Sequence, residues 1–70
     1  MINQELKQKI LSLVILRKKS GLTQKDISEM TGVSRSNIAN FERGFINNMY
    51  LYDFYLDRFG GSGNEKTKNG

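Results

Sequence analysis

The chain has 70 residues, with 11 Lys and Arg against 7 Asp and Glu, a net charge of +4, and neither cysteine nor histidine. This length allows one domain, whose small core only just outweighs the entropy of ordering the chain. Without cysteine and histidine, disulfides and the commonest metal ligands and general base are missing. The composition predicts a non-enzymatic protein with no metal and no cofactor. Its basic balance suits a polyanionic partner or serves solubility.

The sequence gives no indication of a membrane or secretory segment. The longest apolar run, residues 13–16, is far too short to cross a bilayer. The first five residues do not combine a basic segment with an apolar stretch, as a signal peptide would. We therefore expect a cytoplasmic protein with no membrane partner.

The first predicted helix begins after Asn3, whose side chain can cap it, and ends at Gly21. Apolar residues and one arginine recur within it at spacings of three and four, which predicts a single inward face. The members of this face are Leu6, Ile10, Leu13, Val14 and Arg17.

Two helix-start signals follow, separated by a glycine. Thr23 with Asp26 three positions later forms a capping box, and Ser34 can cap a second helix. Gly32 lies between them, where the chain must leave one helix and turn into the next. The pattern predicts helices over 24–30 and 35–43. Two short helices joined in this way are typical of a helix-turn-helix, which indicates contact with DNA.

A fourth helix is predicted from about residue 48 to Phe59, and it is unusually aromatic. Large rings would close the core of a short chain, with tyrosine hydroxyls reaching water at its rim. Alternatively, part of this surface is a homodimer or heterologous protein interface. The candidate interface residues are Tyr50, Tyr52, Tyr55 and Phe59.

Residues 60–70 contain glycine and polar residues and no apolar side chain. This composition predicts a flexible tail, either native or the remnant of an expression linker. The predicted domain organisation is therefore a helix-turn-helix DNA-binding domain over 1–59 followed by a tail over 60–70.

Residues 6–44 resemble the lambdoid phage repressor and Cro family, the XRE-type helix-turn-helix proteins. The resemblance implies an all-α compact bundle of about four helices. Typical members add a fifth helix that often helps to form a twofold dimer, whereas residues 45–59 have room for one helix. The resemblance rests on Arg17, Gly21-Leu22-Thr23-Gln24, Ile27, Gly32-Val33-Ser34, Ile38 and Phe41-Glu42-Arg43-Gly44.

The resemblance also implies that the helix beginning at Arg35 is the recognition helix, which enters the major groove of DNA. Arg35 is expected to read guanine and Asn40 adenine, while Ser36 is a more permissive reader. Alternatively, Arg35 is a solvated arginine at a helix start. Candidate contacts to the DNA backbone, which on a helix surface are often simply solvated, are Gln24, Lys25, Ser34 and Arg43.

Arg17 and Glu42 have a different expected role. Their counterparts in the family form an ion pair that ties the first helix to the end of the third. The resemblance therefore implies a structural task for both residues and no part in base recognition.

These features together predict a sequence-specific double-stranded DNA-binding transcription regulator. We expect a small phage or mobile-element repressor that acts as a homodimer by promoter occlusion. The alternative is a phage antirepressor or other regulatory protein that binds a heterologous protein partner through its aromatic fourth helix. Either would act in the cytoplasm of a bacterial host, and a DNA-bound form would be associated with the nucleoid.

Overall fold

A computed structural model describes residues 3–60, which form four α-helices joined by short turns. The helices are α1 (Gln4–Lys19), α2 (Gln24–Thr31), α3 (Arg35–Glu42) and α4 (Met49–Phe59). The predicted all-α class and four-helix architecture are confirmed, and these residues contain no fifth helix. Most of the predicted tail, residues 61–70, lies outside the described range. No helix within that range has the length and apolarity needed to span a lipid bilayer.

Each helix begins with a polar side chain that accepts a hydrogen bond from a backbone amide three residues later. The capping residues are Asn3, Thr23, Ser34 and Asn48. At α2 the bond is reciprocal, because Thr23 Oγ1 accepts from the Asp26 amide at 3.1 Å and Asp26 Oδ2 accepts from the Thr23 amide at 2.9 Å. These bonds hold the pKa of Asp26 below its ordinary value. Local sequence therefore determines where the helices start.

The helix ends differ from the sequence prediction by one residue at α2 and one at α3. Gly32 adopts a φ of 77° and donates its amide to Ser28 O at 2.8 Å, so Thr31 keeps helical geometry. Arg43 caps the other end of the helix-turn-helix with its amide bonded to Ala39 O, so α3 proper ends at Glu42. Such differences are ordinary at fraying helix termini.

The core is a single cluster to which all four helices contribute. α2 packs chiefly on α3, while α1 packs against α4 and α3. Fully buried aliphatic and aromatic side chains each contribute about 1.5–3 kcal/mol relative to exposure. The cluster comprises Ile10, Leu13, Val14, Ile27, Ile38, Phe41, Leu51 and Tyr55. It includes two side chains of α3, so this helix is anchored along one side and open along the other.

Tyr55 is fully buried, so its prediction as an interface residue is wrong. Its ring makes edge-to-face contacts with Phe41, Phe54 and Phe59, with centroids 5.2, 6.2 and 5.5 Å apart. Tyr55 therefore closes the core, as the first of the two interpretations of α4 proposed. Phe59 packs partly against the same core.

Candidate nucleic-acid interface

The two sides of α3 have opposite character. Ile38 and Phe41 are buried in the core. Arg35 and Ser36 are exposed at the first turn, and Asn40 is half-buried one turn further along. The helix therefore presents a short polar face to solvent while its apolar face fixes it to the body of the domain.

The turn between α2 and α3 is held by hydrogen bonds on both sides of Gly32. Ser28 Oγ donates to Val33 O at 2.6 Å, and the Val33 amide donates to Thr31 Oγ1 at 3.2 Å. The φ of 77° at Gly32 lies in the left-handed region, which glycine adopts without steric cost. These contacts fix the angle at which α3 leaves α2.

A buried ion pair joins α1 to the end of α3. Arg17 Nε lies 2.7 Å from Glu42 Oε2, and Nη2 donates to Oε1 at 3.0 Å, which gives a two-point contact. The two side chains are only 7% and 5% exposed. Arg17 Nη1 also donates to Leu22 O at 2.5 Å, in the segment that leads into α2. The pair therefore ties α1 to both helices of the helix-turn-helix.

Two further donors, which the sequence did not predict, bind the same carboxylate. Gln24 Nε2 donates to Glu42 Oε1 at 3.0 Å, and the Tyr55 hydroxyl donates to Oε2. Burial, and then the neighbouring carboxylate, raise the pKa of Tyr55, so its hydroxyl stays protonated and remains a donor. The spacing of Leu51 and Tyr55 by four residues is the signal that could have placed Tyr55 in the core.

The candidate backbone contacts surround α3 in different environments. Lys25, Ser34 and Arg43 are exposed, whereas Gln24 is half-buried. The amide nitrogen of Gln24 carries two hydrogens, of which the bond to Glu42 needs one. Ser34 Oγ accepts from the Asn37 amide at 3.2 Å, and its hydroxyl hydrogen is not needed for that bond.

The predicted site residues form separate groups. Arg35, Ser36 and Asn40 belong to α3, while Gln24 and Arg43 line one groove beside its end. Two lysines that the sequence analysis did not single out, Lys7 and Lys18, line the same groove.

The four proposed interface aromatics do not share one exposed surface. Tyr50 is 57% exposed, and its hydroxyl lies 3.4 Å from Thr31 O. Tyr52 and Phe59 are half-buried, and Tyr55 is buried. Within residues 3–60, no three acidic, histidine or cysteine side chains come together in a way that could hold a metal ion.

Comparison with known proteins agrees with this geometry. The helix-turn-helix family model matches residues 13–48, just over half of the chain. The match runs from the middle of α1 through α2 and α3 to the residue before α4. No curated protein and no solved structure matches the chain. The chain belongs to the lambda-repressor-like helix-turn-helix family and is a regulator that binds double-stranded DNA.

Proposed function

We propose that the chain is a sequence-specific repressor of a phage or other mobile element, which occupies its operator as a homodimer and occludes a promoter. The observation that carries this proposal is the two-sided character of α3. Arg35, Ser36 and Asn40 lie on its accessible side, while the opposite side is buried in the core. An arginine pairs with guanine and an asparagine with adenine through two hydrogen bonds each, so this face suits major-groove reading.

The way α3 is held supports a reading role. Its beginning follows the hydrogen-bonded turn at Gly32, and its last residue, Glu42, is bound by Arg17 and Gln24. A helix already fixed at both ends loses little conformational freedom on entering the groove, so less binding energy is spent on ordering it.

The proposed backbone contacts position this helix on the duplex. Gln24, Lys25, Ser34 and Arg43 would bind phosphates and set the register, which makes affinity dependent on salt and not on sequence. Gln24 and Lys25 are the first two residues of α2, where free backbone amides also favour an anion. We infer that discrimination comes from α3 and a large part of the affinity from these surrounding residues.

A dimer is proposed because one recognition helix reads only a few base pairs. Two copies on half-sites about one helical turn apart would double the recognised sequence. The proposed interface uses the uncovered residues of α4, where Met49 and Tyr50 are 53% and 57% exposed and Leu56 is 40% exposed. Tyr52 and Phe59 would contribute their accessible edges, whereas Tyr55 is excluded by its burial.

Selection of bound duplexes from a random pool tests the proposal. We expect a defined site, and we expect Arg35→Ala to weaken it by about 1–3 kcal/mol while relaxing preference at one base position. Arg43→Ala should instead weaken many sequences together. Lys9→Ala, on the exposed surface of α1, is the charge-matched control. Equal weakening of all sequences by Arg35→Ala would contradict base reading.

A second candidate function is supported by the same exposed residues of α4. Met49, Tyr50 and Leu56 offer an apolar surface for a heterologous regulatory protein, as an antirepressor would need. Titration with random duplex DNA distinguishes the two functions. The repressor proposal requires binding with a steep salt dependence, whereas absence of binding even at low salt favours the antirepressor. In both roles we propose that the chain acts in the cytoplasm of a bacterial host.

A further inference from the structure

A groove of about 480 Å³ lies beside the end of α3 and is walled on its other side by α1. Gln24 and Arg43, both proposed above as contacts to the DNA backbone, line it. Lys7 and Lys18 of α1 line it as well, and neither belongs to the helix-turn-helix. The groove therefore brings two further cations next to two residues that already face the proposed path of the DNA.

The groove carries a net positive charge. Lys7, Lys18 and Arg43 are exposed, and the ion pairs found among residues 3–60 involve none of them. Glu42 also lines the groove, but its carboxylate is paired with Arg17. Three cations on one wall make a local field that attracts a polyanion.

The position of Lys7 is fixed by its contact with Gly44. A Cβ atom placed on this glycine would lie 2.8 Å from Lys7 Cγ and 3.0 Å from Cδ, so the lysine stem lies directly over the glycine. The aliphatic stem is thus held by the end of α3 while the ammonium group remains free to contact solvent or an anion. A side chain that is already restrained loses less rotamer entropy when it binds a phosphate.

Lys18 is placed by its neighbour in the chain. Arg17 makes its two-point contact with Glu42 and a third hydrogen bond to Leu22 O, which fix the last turns of α1. Lys18 follows directly and shares the groove with Gln24. Both lysines are therefore carried on a rigid support beside the proposed backbone contacts.

We propose that Lys7 and Lys18 bind phosphates of the DNA backbone beyond those contacted by Gln24 and Arg43, so that α1 extends the DNA-binding surface. This inference rests on the proposed function and names a further part of its DNA site. An acidic peptide would also suit the charges, since Leu11 and Phe45 line the same groove. DNA is favoured because the groove contains two proposed backbone contacts and adjoins the recognition helix.

The test compares two double variants that each remove two positive charges. Lys7→Gln with Lys18→Gln removes the proposed contacts, and glutamine keeps the Cγ and Cδ atoms that lie over the glycine. Lys9→Gln with Arg58→Gln is the control, because Lys9 lines a different groove between α1 and α4 and Arg58 is in the last turn of α4. The affinity of each variant for the selected duplex is measured over a series of salt concentrations.

We expect the Lys7/Lys18 variant to lose about 0.9 units of log–log salt slope per phosphate contact. Between 50 and 200 mM salt its affinity should therefore fall about tenfold less than that of the unsubstituted chain. The preference among duplex sequences should not change, because phosphate contacts carry no base information. Arginine at both positions should restore the slope, and the Lys9/Arg58 control should keep it.

Equal slopes for the two double variants would overturn this inference. If Arg35→Ala still relaxed base preference in that case, the proposed function would stand and the extension along α1 alone would fail. Equal slopes together with saturable binding of an acidic peptide that Leu11→Ser abolishes would assign the groove to a protein partner. A chain that binds no duplex at low salt would overturn the proposed function and this inference together.

Discussion

The side-chain amide of Gln24, at the beginning of α2, donates to the carboxylate of Glu42, at the end of α3, over 3.0 Å. Arg17 of α1 and Tyr55 of α4 bind the same carboxylate. One buried side chain of α3 is thus contacted by each of the other three helices. The orientation of the proposed recognition helix therefore depends on a single charged group and its three donors.

Gln24→Ala is expected to weaken DNA binding about equally for all duplex sequences, because it removes a proposed phosphate contact. It should also lower the free energy of unfolding by about 0.5–1.5 kcal/mol, since one hydrogen bond to Glu42 is lost. Competition assays with the selected duplex and a random duplex measure the first effect, and urea unfolding measures the second. Gln4→Ala, at an exposed position of α1, is the matched control. A change in the ratio of the two affinities would assign Gln24 to base reading instead.

Arg17→Met should destabilise the domain by about 3–5 kcal/mol, because it leaves the Glu42 carboxylate buried without its cationic partner. Small domains have roughly 5–15 kcal/mol of stability in total, so much of the fold's margin would be lost. Urea unfolding followed by circular dichroism gives the free energy.

The exposed ion pair between Lys9 and Glu5 provides a control for that experiment. Its atoms are 3.8 Å apart and its side chains are 59% and 80% exposed, so Glu5→Gln should cost less than about 1 kcal/mol. Similar losses for Arg17→Met and Glu5→Gln would show that burial does not set the importance of the Arg17 pair.

The helix boundaries could be predicted from the sequence because they depend on neighbouring residues. Thr23 and Asp26 cap each other within one turn, and Gly32 supplies the left-handed residue that ends α2. These interactions span at most a few residues, so the residue types and their spacing are sufficient to identify them. The inward positions of Ile38 and Phe41 likewise follow from the helical period.

The contacts of Glu42 with Gln24 and Tyr55 could not be predicted in this way. They join residues 18 and 13 positions apart, and their geometry depends on how the helices pack. The aromatic composition of α4 suggested an exposed interface, but composition does not distinguish a ring in the core from one at the surface. Tyr55 is buried because it lies on the face of α4 that meets the other helices, where Leu51 is also buried.

Tyr55→Phe should cost about 1.5–3 kcal/mol at neutral pH, because the ring contacts remain while the Glu42 carboxylate loses a donor. Burial raises the pKa of Tyr55, so the contribution of its hydroxyl is fully present below the ordinary tyrosine pKa of 10.0 and is lost as the pH rises above it. The difference in unfolding free energy between the two proteins should therefore be constant at neutral pH and shrink above pH 10.0.

Urea unfolding of both proteins across this pH range measures that difference, and the comparison removes the effect of lysine titration common to them. Tyr50→Phe is the control, since Tyr50 is 57% exposed and its hydroxyl is 3.4 Å from its acceptor. A Tyr55→Phe protein as stable as the unsubstituted chain would mean that the Glu42 carboxylate does not need this donor.

Alanine at Gly44 should cost more than alanine at Gly32, although the two glycines have nearly equal φ angles of 79° and 77°. The left-handed conformation costs an alanine about 1–2 kcal/mol at either position. A Cβ at Gly32 meets nothing within 4 Å, whereas at Gly44 it lies 2.8 Å from Lys7 Cγ. The stem of Lys7 must then move, which adds about 1–3 kcal/mol of overpacking.

Lys7→Ala separates the two contributions. In this background Gly44→Ala should cost no more than Gly32→Ala, because the side chain that the new Cβ meets has been removed. Unfolding free energies of the single and double variants complete the cycle. Since Gly44→Ala displaces Lys7 from its support beside Arg43, it should also reduce the salt slope of DNA binding more than Gly32→Ala does. If the cost of Gly44→Ala is the same with and without Lys7, the lysine stem is not restrained by the glycine, and its proposed pre-organisation for a phosphate is lost.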